Sequence, residues 1–257
     1  EIFETLREAG TVAIVWHQIG MVHQHAGDHD AAEDAYRRSL RIKVERGDRW
    51  GEAMTLNQLG TLAGRSDRPE EAVRLYRQSA EVFLGLGDRA NEGRARSNAA
   101  LRLLDIERRD EARRELQRSI ECGAPHDHAA KPWKTFNLLR RLEQADGNEK
   151  EAAAARDDAV QAYLAFRRDG GENHSPGGKL AAAVHGALSQ GEPEAVEKLA
   201  DELAHLRESP DLPDWAPPLI PALQALLAGS RDPALAADPA LDYDDAADLL
   251  LLLERLE

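Results

Sequence analysis

Small and apolar positions recur every forty residues over the first two thirds of the chain. The stretch 16–40, WHQIGMVHQHAGDHDAAEDAYRRSL, aligns without a gap with 56–80, LNQLGTLAGRSDRPEEAVRLYRQSA. The same shift continues to 96–120 and 136–160, although the identity falls. Each copy holds two helix-favouring segments separated by a turn such as AGDHD, SDRPE or ADGNE, whose residues stop one helix and cap the next. The pattern therefore predicts four antiparallel helix pairs.

The spacing of these positions resembles the tetratricopeptide repeat. The motif positions of the first copy are Trp16, Ile19-Gly20, Ala32, Tyr36 and Ser39, and those of the second are Leu56, Leu59-Gly60, Ala72, Tyr76 and Ser79. The later copies depart from the motif: Ala100 and Arg140 replace the glycine, and Leu116 and Arg156 replace the aromatic residue. The resemblance implies an all-α fold, a right-handed α-solenoid of stacked helix pairs with a concave groove.

The register divides the chain into consecutive segments. Residues 1–12 align with the tail of a second helix, so we expect the chain to start inside a truncated preceding repeat of a longer array. We further predict four repeat units (13–52, 53–92, 93–132, 133–168), a Gly-rich linker (169–178) and an acidic C-terminal helical region (179–257), repeat-like and then capping. In that last region Leu249 to Leu253 suit the sealing of the final apolar face.

The charge and the cysteine content indicate which partners and which cellular compartment to expect. The net charge is −14, and residues 172–257 hold 17 acidic and 5 basic residues, a net of −12. The first 171 residues hold 30 acidic and 28 basic residues. This balance argues against nucleic-acid and anionic-membrane binding. Because Cys122 is the only cysteine, we predict a reducing compartment, the cytoplasm.

Signatures of enzymes are missing from the sequence. We find no Gly-rich phosphate loop, HExxH, GxSxG or cysteine-rich metal motif. The glycine-rich segment GGENHSPGG does not follow a strand, which favours a loop over a phosphate cradle. We therefore predict a protein that is not an enzyme and has no cofactor.

The histidines between residues 16 and 36 suggest a metal site at first sight. At about 100° per residue, His17, His23 and His25 point in different directions around one helix. His23 takes a position where tetratricopeptide relatives carry a packing aromatic. Only His25 and His29, with Asp28 in the turn, could approach one another and bind zinc. We predict no metal there and interpret these residues as polar groups at a turn.

The resemblance also implies a binding face. Family positions two, five and nine of each first helix usually face a bound peptide; here they are Ile14, His17 and Met21; Met54, Asn57 and Thr61; Arg94, Ser97 and Leu101; Lys134, Asn137 and Arg141. The cations Arg94, Lys134 and Arg141 stand out, because a cation facing a cavity has no packing role; the alternative is that they are only solvated.

Together these features predict a non-catalytic protein–protein interaction module that binds a peptide or a helix of a protein partner in its groove. The alternative is the sensor or regulatory arm of a larger multidomain signalling protein, with a nucleotide-switch or effector domain upstream.

Overall fold

A computed structural model describes residues 2–123 and 131–256, with side chains from Glu8 onward. These described residues contain twelve α-helices and no strand. They divide into two compact units, Glu1–Lys131 and Pro132–Glu257, called unit 1 and unit 2. The predicted all-α fold is confirmed.

Unit 1 consists of three consecutive helix pairs. Its helices are α1 (Ile2–Ala26), α2 (His29–Glu45), α3 (Arg49–Arg65), α4 (Pro69–Leu86), α5 (Arg89–Asp105) and α6 (Arg109–Cys122). Each helix packs closely on the next one along the chain. Apolar side chains of α2, α3 and α4 share one buried cluster, which includes Tyr36, Leu62 and Phe83. Neighbouring pairs thus bury their apolar faces against one another, as stacked repeats must.

The same hydrogen bonds recur at intervals of forty residues. The hydroxyls of Ser39, Ser79 and Ser119 donate to backbone carbonyls of the preceding first helix, at 2.7, 2.8 and 2.7 Å. Asp48 and Asp88 cap α3 and α5 by accepting backbone N–H bonds of 2.9 and 3.1 Å. These contacts explain why small hydroxyl and capping residues repeat in the sequence.

The motif glycine permits close helix contact within a pair. A Cβ atom on Gly20 would lie 2.6 Å from the ring of Tyr36, and one on Gly60 would lie 2.9 Å from the ring of Tyr76. Such distances leave no room for a side chain. The glycine and the aromatic ring therefore occupy a single packing site, once in each of the first two pairs.

Unit 2 begins with the fourth predicted pair. Its helices are α7 (Pro132–Ala145), α8 (Glu149–Arg168), α9 (Pro176–Gln190), α10 (Pro193–Arg207), α11 (Ala216–Leu227) and α12 (Tyr243–Leu256), with a 3₁₀ turn at Pro233–Ala236. α8 packs on α7 and also on α12, the last helix of the chain. α9 packs on α10, α11 and α12. Leu249 and Leu251 to Leu253 are buried in the core of this unit.

Two segment boundaries differ from the sequence prediction. α1 is one continuous helix from Ile2, so no turn separates residues 2–12 from the rest of it. The reason is that residues 6–8 lack the Gly-Asp of the equivalent turns at 46–48 and 86–88. The Gly-rich linker is shorter than 169–178, because Ser175 caps α9 and Pro176 is its first residue.

Candidate partner-binding face

The predicted binding residues of unit 1 lie on α1, α3 and α5, and we call them, with Trp50, the first-helix face. Ile14 and Met21 are exposed by 57% and 39%. Met54, Asn57, Thr61 and Leu101 are half-buried, and Arg94 is exposed. Ser97 is buried, so its side chain offers a partner little surface.

The side chain of His17 already makes contacts within the protein. Its Nδ1 lies 3.2 Å from the hydroxyl of Thr55, and its ring packs on Tyr36 with centroids 5.3 Å apart. Lys43, itself buried, donates to the same Thr55 hydroxyl at 2.9 Å. Burial, together with the charge of Lys43, lowers the pKa of His17 to about 4. This histidine is therefore neutral at physiological pH.

Polar contacts join neighbouring first helices. The amide of Asn98 on α5 donates to the amide oxygen of Asn57 on α3 at 3.4 Å. Thr61 accepts a hydrogen bond of 3.0 Å from the hydroxyl of Tyr76. These bonds hold α3, α4 and α5 together beside the exposed residues of the face.

Trp50 lies one turn before Met54 on α3 and was missed by the sequence prediction. Its indole ring is 53% exposed, and its Nε1 donates to Asp88 at 3.3 Å. Burial raises the pKa of Asp88, but hydrogen bonds from Asn91 and Trp50 outweigh it and hold the pKa below its usual value. Asn91 also accepts from the guanidinium of Arg94. The ring of Trp50 is thus held in place while remaining open to solvent.

The sequence did contain a signal for Trp50. The equivalent positions in the neighbouring pairs are Gly10 and Ala90. Because two copies of the repeat pack without a large side chain here, the tryptophan is not required for packing.

The remaining predicted residues belong to α7 in unit 2. Lys134 and Arg141 are exposed, and Asn137 accepts from Nε of Arg140 at 2.9 Å. Burial lowers the pKa of Arg140. The three predicted cations are therefore divided between the units, Arg94 in one and the other two in the second.

The histidine-rich stretch does not assemble three metal ligands within the described residues. Asp28 caps α2, and its carboxylate lies 3.6 Å from His23, which is partly exposed. His29 contacts the hydroxyl of Ser66 at 3.0 Å. Asp28 thus caps one helix, and His29 contacts the residue that follows another.

Three aspartates at the start of α12 form the one set of three potential metal ligands in the described part of the chain. Asp242, Asp244 and Asp245 place oxygens within 4.8 Å of one another. Acidic residues in the first turn are favoured there by the helix dipole without any ion. Burial, and then the neighbouring carboxylates, raise the pKa of Asp245 to about 7.

Each helix in the described ranges is too short or too polar to cross a membrane.

The repeated contacts define the class of protein as an α-solenoid of helix pairs. A sequence model of the tetratricopeptide repeat family matches residues 11–85 and 51–122. Residues 11–122 thus match the tetratricopeptide repeat family by sequence. The search of curated protein sequences gave no significant match.

Two solved structures are similar to this chain. The chain resembles BtubC (BKLC) from P. vanneervenii at 20% identity and a TM-score of 0.53, over 64% of this chain and 66% of BtubC. This chain thus corresponds to slightly under two thirds of BtubC. Pseudomonas aeruginosa pilF aligns at 17% identity and a TM-score of 0.49, over 98% of this chain and 93% of pilF.

Proposed function

We propose that the protein is a non-catalytic protein–protein interaction module that binds a peptide or a helix of a partner on the first-helix face of unit 1. Tetratricopeptide repeats are protein-interaction scaffolds. The observation that supports this particular face is the exposure of Ile14, Met21 and Trp50 on first helices.

The chemistry of the face suits a peptide ligand. Tryptophan and arginine are the residue types most often found at binding hot spots, and here Trp50 and Arg94 are both exposed and both near Asp88. Asn57, half-buried on the same face, can bond a peptide backbone through its amide. An apolar anchor with adjacent amide and guanidinium groups is the usual composition of such an interface.

Site-specific photo-crosslinking tests this proposal. A photoreactive phenylalanine replaces Met21 or Met54 on the face, and a matched control replaces Arg114, which is exposed on the second helix α6. In extracts of the native organism, we expect one protein to crosslink from the face positions and not from Arg114. Equal crosslinking from all three positions contradicts the proposed face.

Substitutions then measure the contribution of each group. With the crosslinked partner purified, we expect Trp50→Ala to weaken binding by about thirtyfold or more, since hot-spot truncations cost at least about 2 kcal/mol. Arg94→Glu tests the predicted cation of unit 1, and Lys134→Glu with Arg141→Glu tests those of unit 2. Unchanged affinity in Arg94→Glu, with helicity retained, removes this cation from the site.

A further inference from the structure

A cleft of about 670 Å³ opens between the second helices α2 and α4 of unit 1, with α3 as its floor. Its apolar lining consists of Leu40, Val44, Leu56, Val73 and Val82. None of these residues belongs to the first-helix face. The volume lies within the range of protein cavities that bind ligands. This cleft is thus a second surface, separate from the one in the proposed function.

One repeat later, the chain fills the equivalent place with an arginine. Forty residues after Leu56 stands Arg96, which is only 3% exposed between α4, α5 and α6. Its guanidinium donates to Glu92 at 2.9 Å, to Glu81 at 3.1 Å and to Glu115 at 3.3 Å. Arg96 thus shows that an arginine can be buried between these helices where carboxylates receive its guanidinium.

Of the three carboxylates that hold Arg96, Glu92 is the one with an acidic equivalent in the open cleft. Glu92 binds Arg89 through Oε2 and Arg96 through Oε1. Glu52, its equivalent, binds Arg49 through Oε2 at 2.7 Å, and its Oε1 has no hydrogen-bond partner among the described residues. A partly buried carboxylate oxygen without a donor favours a cationic ligand.

The arginines that line the cleft are already paired with carboxylates of the protein. Arg77 binds Glu111 and Glu115 at 3.1 and 2.7 Å, and Arg108 also binds Glu111. Arg74 lies 3.6 Å from Glu71. Glu70, in contrast, is exposed at the rim and forms no ion pair with any described residue. Glu70 and Oε1 of Glu52 are therefore the acidic groups of the cleft lining that have no cationic partner among the described residues.

We propose that this cleft binds an arginine side chain of a partner protein, flanked by apolar residues. The guanidinium bonds Oε1 of Glu52, as Arg96 bonds Glu92, and the aliphatic stem and its apolar neighbours cover Leu40, Val44 and Leu56. Arginine suits the site because its planar group binds carboxylates in a fixed geometry, while its stem packs on apolar surface.

Fluorescence anisotropy of a labelled peptide, acetyl-Ala-Leu-Arg-Leu-Ala-amide, tests this proposal on the full chain. The twin peptide carries citrulline, which has the same shape without the charge. We expect saturable binding of the arginine peptide below about 1 mM and at least about tenfold weaker binding of the citrulline peptide. Absence of saturable binding, or equal affinity for both peptides, overturns the proposal.

Two variants connect the binding to the cleft. Glu52→Gln removes the charge, and Leu56→Arg fills the cleft from within as Arg96 fills the next one; each should reduce the affinity at least about tenfold. Asp110→Asn, at the equivalent of Glu70 one repeat later, is the matched control and should bind normally. Binding that survives Glu52→Gln overturns the assignment, whatever the stability of Leu56→Arg.

The unfolding temperature of the variant Leu56→Arg gives an independent test of the proposed arginine site. We expect Leu56→Arg to unfold at a temperature close to that of the wild type, because Glu52 is ready to receive the guanidinium. Leu59→Arg, placed among apolar side chains of the same helix, should lose its structure. Equal destabilisation of both variants argues against a prepared arginine site.

Discussion

The turn inside each helix pair needs one residue with left-handed backbone. The four equivalent residues are Gly27, Asp67, Glu107 and Gly147, with φ values of 80°, 55°, 59° and 75°. Glycine adopts this conformation freely, while a residue with a Cβ atom is strained. Two of the four copies therefore carry a local strain that the other two avoid.

Glycine at position 107 should stabilise the protein. We expect Glu107→Gly to raise the free energy of unfolding by about 0.5–1 kcal/mol, since relief of the strain exceeds the added freedom of the unfolded chain. Urea denaturation measures the change. Gly27→Ala is the opposite control and should lower stability; a gain in both variants would refute the explanation by backbone strain.

The motif glycine should be intolerant of a single methyl group. Gly60→Ala places a Cβ atom 2.9 Å from the ring of Tyr76, and we expect a loss of about 1–3 kcal/mol from overpacking. At Gly85, within α4, a Cβ atom would meet no other atom within 4 Å, so Gly85→Ala should gain up to about 1 kcal/mol. Thermal unfolding distinguishes the two signs, and a neutral Gly60→Ala contradicts the close packing.

Asp245 should make unit 2 sensitive to pH. Its pKa is raised to about 7 in the folded state, against 3.8 for an ordinary aspartate, by burial and by neighbouring carboxylates. The folded state thus holds the proton more tightly, so this contribution to stability is present below pH 3.8 and is lost as the pH rises through about 7.

The neutral isostere Asp245→Asn removes that dependence. We expect the variant to be more stable than the wild type at about pH 8, and to lose less stability between about pH 5 and that value. Denaturation at several pH values measures both slopes. Identical slopes would show that Asp245 does not titrate in this range.

At the scale of the helices, the sequence predicted the repeated pairs well. The forty-residue period identifies helix contacts because the glycine meets the tyrosine in the first two pairs, as Gly60 meets Tyr76, and the serine bonds the first helix of its pair, as Ser79 does. It could not show that α12 rather than α9 packs on α8, since that contact joins residues far apart in the chain. The engagement of His17 by Thr55 was hidden for the same reason.

The packing of α12 on α8 should contribute strongly to the stability of unit 2. Leu249 is fully buried in its core, so Leu249→Ala should cost about 2–5 kcal/mol. The same substitution at its half-buried neighbour, Leu250→Ala, should lower the free energy of unfolding by clearly less. Chemical denaturation of both variants measures the difference. Equal losses would mean that α12 does not pack on α8 and α9 through the face described.

Over the whole molecule, charge is distributed very unevenly. Residues 172–257 hold 17 acidic and 5 basic residues, whereas the first 171 are nearly balanced. In unit 1, pairs such as Arg37–Glu71 and Arg77–Glu111 repeat between neighbouring second helices, at 3.4 and 3.1 Å. The C-terminal helices lack enough cations for such a pattern, so repulsion among carboxylates opposes their folding.

Salt should therefore act differently on the two regions. Raising NaCl from about 0.01 M to about 0.1 M shortens the Debye length from about 30 Å to about 10 Å and screens the repulsion among the carboxylates of α10 and α12. We expect amide hydrogen exchange in these helices to slow. In α2, α4 and α6 it should stay constant or accelerate slightly, because salt weakens exposed ion pairs. The same response in both regions would show that apolar packing, rather than the distribution of charge, sets their local stabilities.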